Sequence, residues 1–147
     1  MKTTRLTKLD IAVSQLRLAI SLFVEGHELI SAITLAGAAE EILGKLAQQA
    51  GMTPAVHLRA ESTRLLYRYL WKTEPGLKPF VNVNNMTRND LKHLGSGDPV
   101  EVDLVEEAMH ILDRAVENYR LLHARVPVYI GTYDRMRKRM WHARNDA

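Results

Sequence analysis

The stretch from His27 to Gln49 limits most strongly what this chain can fold into. Isoleucine and leucine recur in it at three- and four-residue spacing, which is typical of an amphipathic helix. Small residues fill the positions between them, and they let the backbone of a neighbouring helix come close. We therefore expect a central, buried helix that ends near Gly51, because glycine is a natural residue at a helix end. The small residues are Ala32, Ala36, Gly37, Ala38, Ala39 and Gly44.

Five further segments carry helical periodicity or helix-end signals. A first helix is predicted from about Leu6 to Val24, and a third from about Ala55 to Lys72. Pro79 is expected to keep the following stretch irregular, and Asn84-Asn85 to cap a short helix that ends at Gly95. The other two segments are a long helix from Asp103 to about Ala124, and Thr132 to Arg144, which is either a last basic helix or a frayed end.

Side-chain patterns inside these helices give more detailed expectations. Asp103 and Glu106 resemble a capping box at the start of the late helix. Glu41 and Lys45 have the spacing and order that favour an ion pair along a helix. The third helix is expected to turn one set of side chains inward, namely Leu58, Leu65, Leu66, Tyr69 and Leu70, and to leave Arg59, Arg64 and Arg68 more exposed.

Together these segments predict an all-α, up-and-down bundle of four to five helices. The 147 residues are enough for one domain, and we assign 1–126 to the bundle and 127–147 to a basic C-terminal extension of it. The lack of cysteine excludes disulfides, thiolate zinc sites and cysteine nucleophiles. No apolar run reaches the roughly 18 residues of a membrane span, and no signal-peptide pattern is visible. We therefore expect a cytoplasmic protein with no membrane partner.

Positive charge is concentrated at the C-terminal end of the chain. Residues 1–124 carry 14 Lys and Arg against 15 Asp and Glu, whereas residues 125–147 carry 6 against 2. A basic segment suits nucleic acid or an acidic partner, and interleaved aromatic side chains would stack on bases. The alternative is ordinary packing and a solvated chain end. The residues concerned are Arg135, Arg137, Lys138 and Arg139, interleaved with Tyr129, Tyr133 and Trp141.

The segment 86–97 carries the residues best suited to chemistry. Arginine binds phosphate oxygens through a permanently charged fork, and histidine moves protons near neutral pH. The two together are the minimum set of side chains for cleaving a phosphodiester without a metal ion. On spacing alone the alternative stays open that the arginine pairs with Asp90 and the histidine merely ends a helix. The polar residues of the segment are Arg88, Asn89, Lys92 and His93, followed by a Gly-Ser-Gly sequence.

Arg88-Asn89-x-x-x-His93 resembles the Arg-polar-x3-His motif of the HEPN superfamily, small all-α domains that include metal-independent endoribonucleases, often toxins. The helix with Ala38-Ala39-Glu40-Glu41-Ile42-Leu43-Gly44-Lys45 is similar to the early core helix of many HEPN-like proteins, particularly those related to abortive-infection proteins. The order of elements also agrees over roughly residues 10–122, with two long helices, a motif helix and then another long helix. The basic stretch after Pro127 has no clear counterpart.

The resemblance implies a homodimer in which two motif helices face each other around one cleft. His93 would act as general acid or base on the RNA 2′-hydroxyl or the leaving 5′-oxygen. Arg88 would stabilise the negative charge of the transition state, Asn89 would orient the pair or bind the phosphate, and Lys92 would add positive charge. The products would carry 2′,3′-cyclic phosphate and 5′-hydroxyl ends, and no cofactor would be needed.

The resemblance leaves a second function open, because the superfamily also contains non-catalytic dimeric modules that bind RNA, a nucleotide or a protein. It also implies a partner protein, an antitoxin or a nucleotidyltransferase, within a toxin–antitoxin or phage-defence system. A third alternative is an unrelated helical bundle that acts only in assembly. We predict no metal site, because His27 and Glu28 with Glu40 and Glu41 lack metal-ligand spacing.

Overall fold

The computed structural model describes residues 3–92, 99 and 101–145, with side chains for all of these except positions 87, 88, 92, 144 and 145. The described residues form six α-helices and no strand, which confirms the predicted all-α class for this part of the chain. The helices are α1 (Lys8–Glu25), α2 (Leu29–Gln49), α3 (Ala55–Trp71), α4 (Lys78–Lys92), α5 (Leu104–Leu122) and α6 (Val128–Asn145).

Helix α2 is the centre of the molecule, as its small residues predicted. It packs most extensively against α5 and α1, and its alanines at positions 32, 36, 39 and 47 are fully buried. Because these side chains take little space, larger residues of the two neighbouring helices fill the layer around them. Those residues are Leu16, Ile20 and Phe23 of α1 with Ile111, Leu112 and Val116 of α5.

The helix ends follow local sequence signals. Thr7 caps α1 in a capping box with Asp10, and the hydrogen bonds from Thr7 lower the pKa of the Asp10 carboxyl. Asp103 caps α5, as predicted, by accepting hydrogen bonds from the backbone N–H groups of Val105 and Glu106 at 3.0 Å. Gly51 follows α2 with a φ of 79°, the left-handed conformation in which glycine costs least.

A single amide joins three helices at one end of the bundle. Asn118 of α5 accepts a hydrogen bond from the N–H of Ala55, the first residue of α3, at 2.8 Å. Its Nδ2 donates to the carbonyl of Glu40 in α2 at 3.2 Å. Gly44 of α2 passes directly beside this amide, and a Cβ at that position would lie 3.1 Å from the Asn118 Nδ2. Glycine at position 44 therefore lets α2 and α5 approach each other here.

Helices α3 and α4 form an arm on the side of this core. Tyr67 of α3 stacks on Trp71, at 4.7 Å between ring centroids, and meets Phe80 of α4 edge to face. The prediction for the inward face of α3 was wrong, because every side chain expected to face the core is exposed by 42% or more. Arg59 and Arg64, which we expected outside, are only 30% and 21% exposed. The exposed residues are Leu58, Leu65, Leu66, Tyr69 and Leu70.

Helix α4 begins earlier than predicted. It starts at Lys78 rather than at Asn84-Asn85, and Pro79 lies in its first turn. Proline is well tolerated there, because the first N–H groups of a helix have no partner inside the helix and the ring fixes a helical φ. The expectation of an irregular stretch after Pro79 was therefore wrong. The predicted end at Gly95 lies outside the described residues.

Helix α6 packs its first half on the core. Ile130 and Tyr133 are buried, and Tyr133 meets Phe23 of α1 edge to face. The Tyr133 hydroxyl donates to the Asp113 carboxylate of α5 at 2.7 Å. The last helix therefore begins at Val128, four residues before the predicted start at Thr132. None of the helices in the described part of the chain has the length and apolar content needed to cross a lipid bilayer.

Candidate functional site

The residues of the HEPN-like motif lie on α4 and just after it. Asn89 is exposed and Asp90 is half-buried. Arg88 and Lys92 belong to the same helix, but their side chains are among those not described. His93 and the Gly-Ser-Gly sequence that follows it lie outside the described residues. The described part of the site is therefore the stretch of α4 that precedes the motif, together with the residues that contact this stretch.

A buried arginine connects α4 to the core. Arg114 of α5 is 2% exposed and donates hydrogen bonds to the Asn84 carbonyl and to the Asn85 Oδ1. Its Nε lies 3.8 Å from the carboxylate of Glu40, which is 4% exposed in the middle of α2. The two acceptors on α4 precede Arg88 by four and three residues, which is one turn of the helix. Arg114 therefore contacts the turn of α4 that leads into the motif.

The sequence interpretation missed Arg114, although a signal for it is visible. Arg114 follows Ile111 by three residues and Glu40 follows Ala36 by four, so each lies on an apolar, inward face of its helix. Charged residues are rarely buried unless they are paired. Two opposite charges on two inward faces therefore indicate an internal ion pair. The sequence interpretation considered Glu40 as a residue without metal-ligand spacing and did not connect it with Arg114.

Glu41, the acid next to Glu40 in the sequence, has a different role. Glu41 accepts a 2.7 Å hydrogen bond from Lys45 on the outside of α2, as its spacing predicted. Both side chains are about half exposed or more, so this ion pair contributes little to stability.

Among the described residues, no group of three or more His, Asp and Glu side chains is arranged to hold a metal ion.

A cavity of about 630 Å³ opens between α3, α4 and α5, beside the same turn of α4. The guanidinium of Arg59 donates to Glu117 at 2.7 Å and lies 3.9 Å from Asp113. Because the other arginine at the cavity, Arg114, faces Glu40, both positive charges meet acids of the protein. The cavity therefore suits a ligand with mixed polar and apolar surface better than a bare phosphate. Its lining residues are Arg59, Thr63, Phe80, Val83, Asn84, Glu107, His110 and Arg114.

The basic residues of α6 differ in what they contact. Arg137 donates to the Asp113 carboxylate at 2.8 Å, and this hydrogen bond raises the pKa of the guanidinium. Arg135 donates to the hydroxyl of Thr132 at 3.1 Å. Lys138 and Arg139 are exposed, as are Arg135 and Arg137. All four basic side chains of α6 predicted to bind nucleic acid therefore reach solvent, and Arg137 is in addition paired with Asp113.

The aromatic residues of α6 differ in how far they are buried. Tyr133 is buried and packs against the core, so the packing alternative holds for it and base stacking does not. Burial raises the pKa of the Tyr133 hydroxyl, and the neighbouring Asp113 charge raises it further. Burial likewise raises the pKa of Tyr129, which is partly buried. Trp141 is 64% exposed, and its position remains compatible with stacking on a base.

Comparison with known proteins gives no match to a protein-family model, to a curated protein or to a solved structure. The resemblance to the HEPN superfamily therefore rests on the residues of α2, the motif segment and the order of the helices.

Proposed function

We propose that this protein is a metal-independent endoribonuclease of the HEPN type that acts as a homodimer. The observation that supports this function best is the arrangement around α4. Arg114 joins the inner side of this helix to the buried core, while Asn89 of the motif is exposed to solvent. A helix held in this way is suited to presenting reactive side chains to a substrate or to a second protomer.

The exposed apolar surface of the arm supports the dimer. Leu66, Tyr69 and Leu70 of α3 form one stripe at three- and four-residue spacing, and Val83 and Met86 of α4 are 67% and 57% exposed. Tyr67 and Trp71 of α3 are 39% and 59% exposed as well. Large exposed apolar patches mark protein–protein interaction sites. The arm of one protomer therefore offers an apolar surface that suits contact with a second protomer.

In the proposed reaction the RNA supplies its own nucleophile. His93 removes the proton from a ribose 2′-hydroxyl, and the 2′-oxygen attacks the adjacent phosphorus. The bond from phosphorus to the 5′-oxygen breaks, and that oxygen takes up a proton. Arg88 stabilises the additional negative charge on the phosphate oxygens in the transition state, and Asn89 orients the phosphate. The products are a 2′,3′-cyclic phosphate and a 5′-hydroxyl.

The test is cleavage of a single-stranded RNA in EDTA by the wild type, His93→Ala and Arg88→Ala. We expect the wild type to cut and to leave cyclic-phosphate ends, because the chemistry needs no metal ion. Each variant should lose about 10²-fold or more in rate, since each lacks one group that acts in the transition state. Gel electrophoresis and end-group analysis by mass spectrometry give both readouts.

Asn82→Ala is the matched control, because Asn82 is an exposed residue of the same helix outside the motif. It should cut at the wild-type rate, and all four proteins should share one circular-dichroism spectrum and one sedimentation coefficient. A DNA strand of the same sequence should stay intact, because it lacks the 2′-hydroxyl. If pure wild type leaves RNA intact, or if His93→Ala cuts as fast as Asn82→Ala, the nuclease proposal is wrong.

The cavity beside α4 favours one alternative, a non-catalytic module that binds a nucleotide or another small ligand. Its volume of about 630 Å³ lies within the range of about 300–1,000 Å³ of small-molecule sites. A protein that leaves RNA uncut but binds nucleotides, with affinity lost in Phe80→Ala, would support this alternative. Equilibrium dialysis with the common ribonucleotides measures it.

A further inference from the structure

We infer that Arg114, through its pairing with Glu40, is the positioning residue that fixes α4 and with it the motif. This inference rests on the proposed function for its effect on catalysis. Its structural half, the control of α4, stands on the hydrogen bonds of Arg114 alone. Arg114 lies in α5, twenty-one or more positions away in sequence from every residue of the motif.

The first step concerns how α4 is attached to the core. It packs mainly against α3 and next against α2, and its Leu91 lies partly buried against the core. These apolar contacts are not directional. The hydrogen bonds from Arg114 to the Asn84 carbonyl and the Asn85 side chain are directional, and they restrict how far α4 slides along its axis and rotates about it, because they join one guanidinium to two points on one turn of α4.

The second step is that the guanidinium is itself held in place. Glu40 is at the middle of α2, the central helix, and its carboxylate faces Arg114 Nε. The backbone carbonyl of the same Glu40 accepts a hydrogen bond from Asn118, one turn after Arg114 on α5. Helix α2 thus fixes the position of the guanidinium, and the guanidinium fixes the position of α4. Arginine fits this role because its planar fork directs several N–H groups at fixed angles, which a lysine ammonium does not.

The third step connects this arrangement to the chemistry. Four residues of helix separate Asn84 from Arg88, a rise of about 6 Å. A helix is rigid over that distance, so a shift at Asn84 moves the backbone of Arg88 by a similar amount. Misplacement of a reacting group by about 1 Å can lower a rate by about 10²-fold. Loss of the Arg114 hydrogen bonds should therefore slow the chemical step more than it weakens RNA binding.

The experiment combines amide hydrogen exchange with steady-state kinetics. The variants are Arg114→Lys, which keeps the charge opposite Glu40, and Asn85→Ala, which removes one acceptor from α4. A lysine pairs less well with Glu40 than an arginine does, so the double variant Glu40→Leu with Arg114→Met, which replaces both buried charges by apolar groups, guards against a general loss of folding in Arg114→Lys. Asn82→Ala, on the exposed side of α4, is the matched control.

We expect exchange in α4 peptides to rise about tenfold or more in Arg114→Lys and in the double variant, with a smaller rise in Asn85→Ala. Peptides of α1 and α2 should stay near their wild-type rates, and so should all peptides of Asn82→Ala. In RNA cleavage, kcat should fall about tenfold or more while KM stays within about twofold. A merely structural role would instead raise exchange throughout the bundle.

Three outcomes would overturn the inference. One is unchanged exchange in α4, another is an equal rise in all helices, and the third is a selective rise in α4 with kcat unaffected. If the wild type does not cleave RNA, the proposed function fails by itself. The exchange of α4 then still decides whether Arg114 controls this helix.

Discussion

Asn118 shows how much of this fold depends on single polar side chains in the core. Its amide satisfies the first N–H of α3 and a carbonyl of α2, and Gly44 leaves just enough room for it. A helix usually finds a cap in its own preceding residue. Here that residue is Pro54, which makes no side-chain cap, and the cap comes from a helix 63 positions later in the chain.

Asn118→Ala should lower the free energy of unfolding by about 2–4 kcal/mol, because it leaves the buried N–H of Ala55 without its acceptor and removes a second hydrogen bond to the Glu40 carbonyl. Urea unfolding followed by circular dichroism measures the change. Asn82→Ala is the control and should alter the same free energy by less than about 0.5 kcal/mol, since Asn82 is exposed. A loss below about 1 kcal/mol for Asn118→Ala would mean that water or a neighbouring group replaces the amide.

For single residues, the sequence predicted the contacts of charged side chains at the surface better than the contacts of charged side chains in the core. The Glu41–Lys45 pair and the Asp103 cap follow from spacing within one helix, so they could be read from the sequence. The contacts of Arg114 with Glu40 and Asn84 join positions 74 and 30 residues apart. Such contacts depend on how the helices pack, which spacing along one helix does not determine.

Helix α6 is attached to the bundle by the polar cluster around Asp113 of α5. Tyr133 donates to one carboxylate oxygen of Asp113 and Arg137 to the other, at 2.7 and 2.8 Å. The same carboxylate lies 3.9 Å from Arg59 of α3. Three helices thus meet at one buried acid, and the basic face of α6 is held at a fixed angle to the core.

Tyr133→Phe should lower the free energy of unfolding by about 2 kcal/mol at pH 7, because it removes a hydrogen bond to a charged carboxylate. The hydroxyl keeps its proton in the folded state, where burial raises its pKa above the ordinary value of 10.0. The unfolded chain ionises near pH 10, so this contribution is complete below pH 10 and falls as the pH rises further.

The stabilities of the wild type and Tyr133→Phe should therefore converge above pH 10. Urea unfolding at pH 7, 9 and 11 measures the difference between them, and Tyr69→Phe is the control because Tyr69 is 71% exposed. A difference that stays constant up to pH 11 would contradict a raised pKa in the folded protein.

The limits of the helices were largely predictable from the sequence. Which face of a helix is buried was not, as α3 shows. The periodicity of α1, α2 and α5 gave their limits to within a few residues, because these helices pack in one core. In α3 the pattern of Leu66 and Leu70 is just as regular, but the side that it marks is exposed. An apolar stripe predicts that something covers it, and it does not say whether the covering surface belongs to the same chain.

At the scale of the whole molecule, the exposed arm predicts association. Leu70→Glu places a charge in the apolar stripe of α3 without touching the core, since Leu70 is 55% exposed. We expect the wild type to sediment as a dimer and Leu70→Glu to dissociate about 30-fold more readily or to be a monomer. Leu18→Glu is the control, because Leu18 is 51% exposed on α1, which packs mainly against α2, α5 and α6.

Circular dichroism and thermal unfolding should show that both variants keep the fold. A wild type that sediments as a monomer at every concentration would contradict the assignment of the arm as the dimer surface. If Leu18→Glu dissociates to the same degree as Leu70→Glu, the arm is not the specific dimer surface and α1 contributes to it.

The buried partnership of Glu40 and Arg114 also limits how this protein can diverge from its ancestors. Losing either charge alone leaves the other uncompensated, at a cost of about 3–5 kcal/mol, out of a total stability of about 5–15 kcal/mol for a domain. A single step away from the pair therefore removes a large share of the stability of the chain. In descendants of this protein, positions 40 and 114 should change together or remain as they are, whereas an exposed position of α4 outside the motif and the apolar surface, such as Asn82, can change freely.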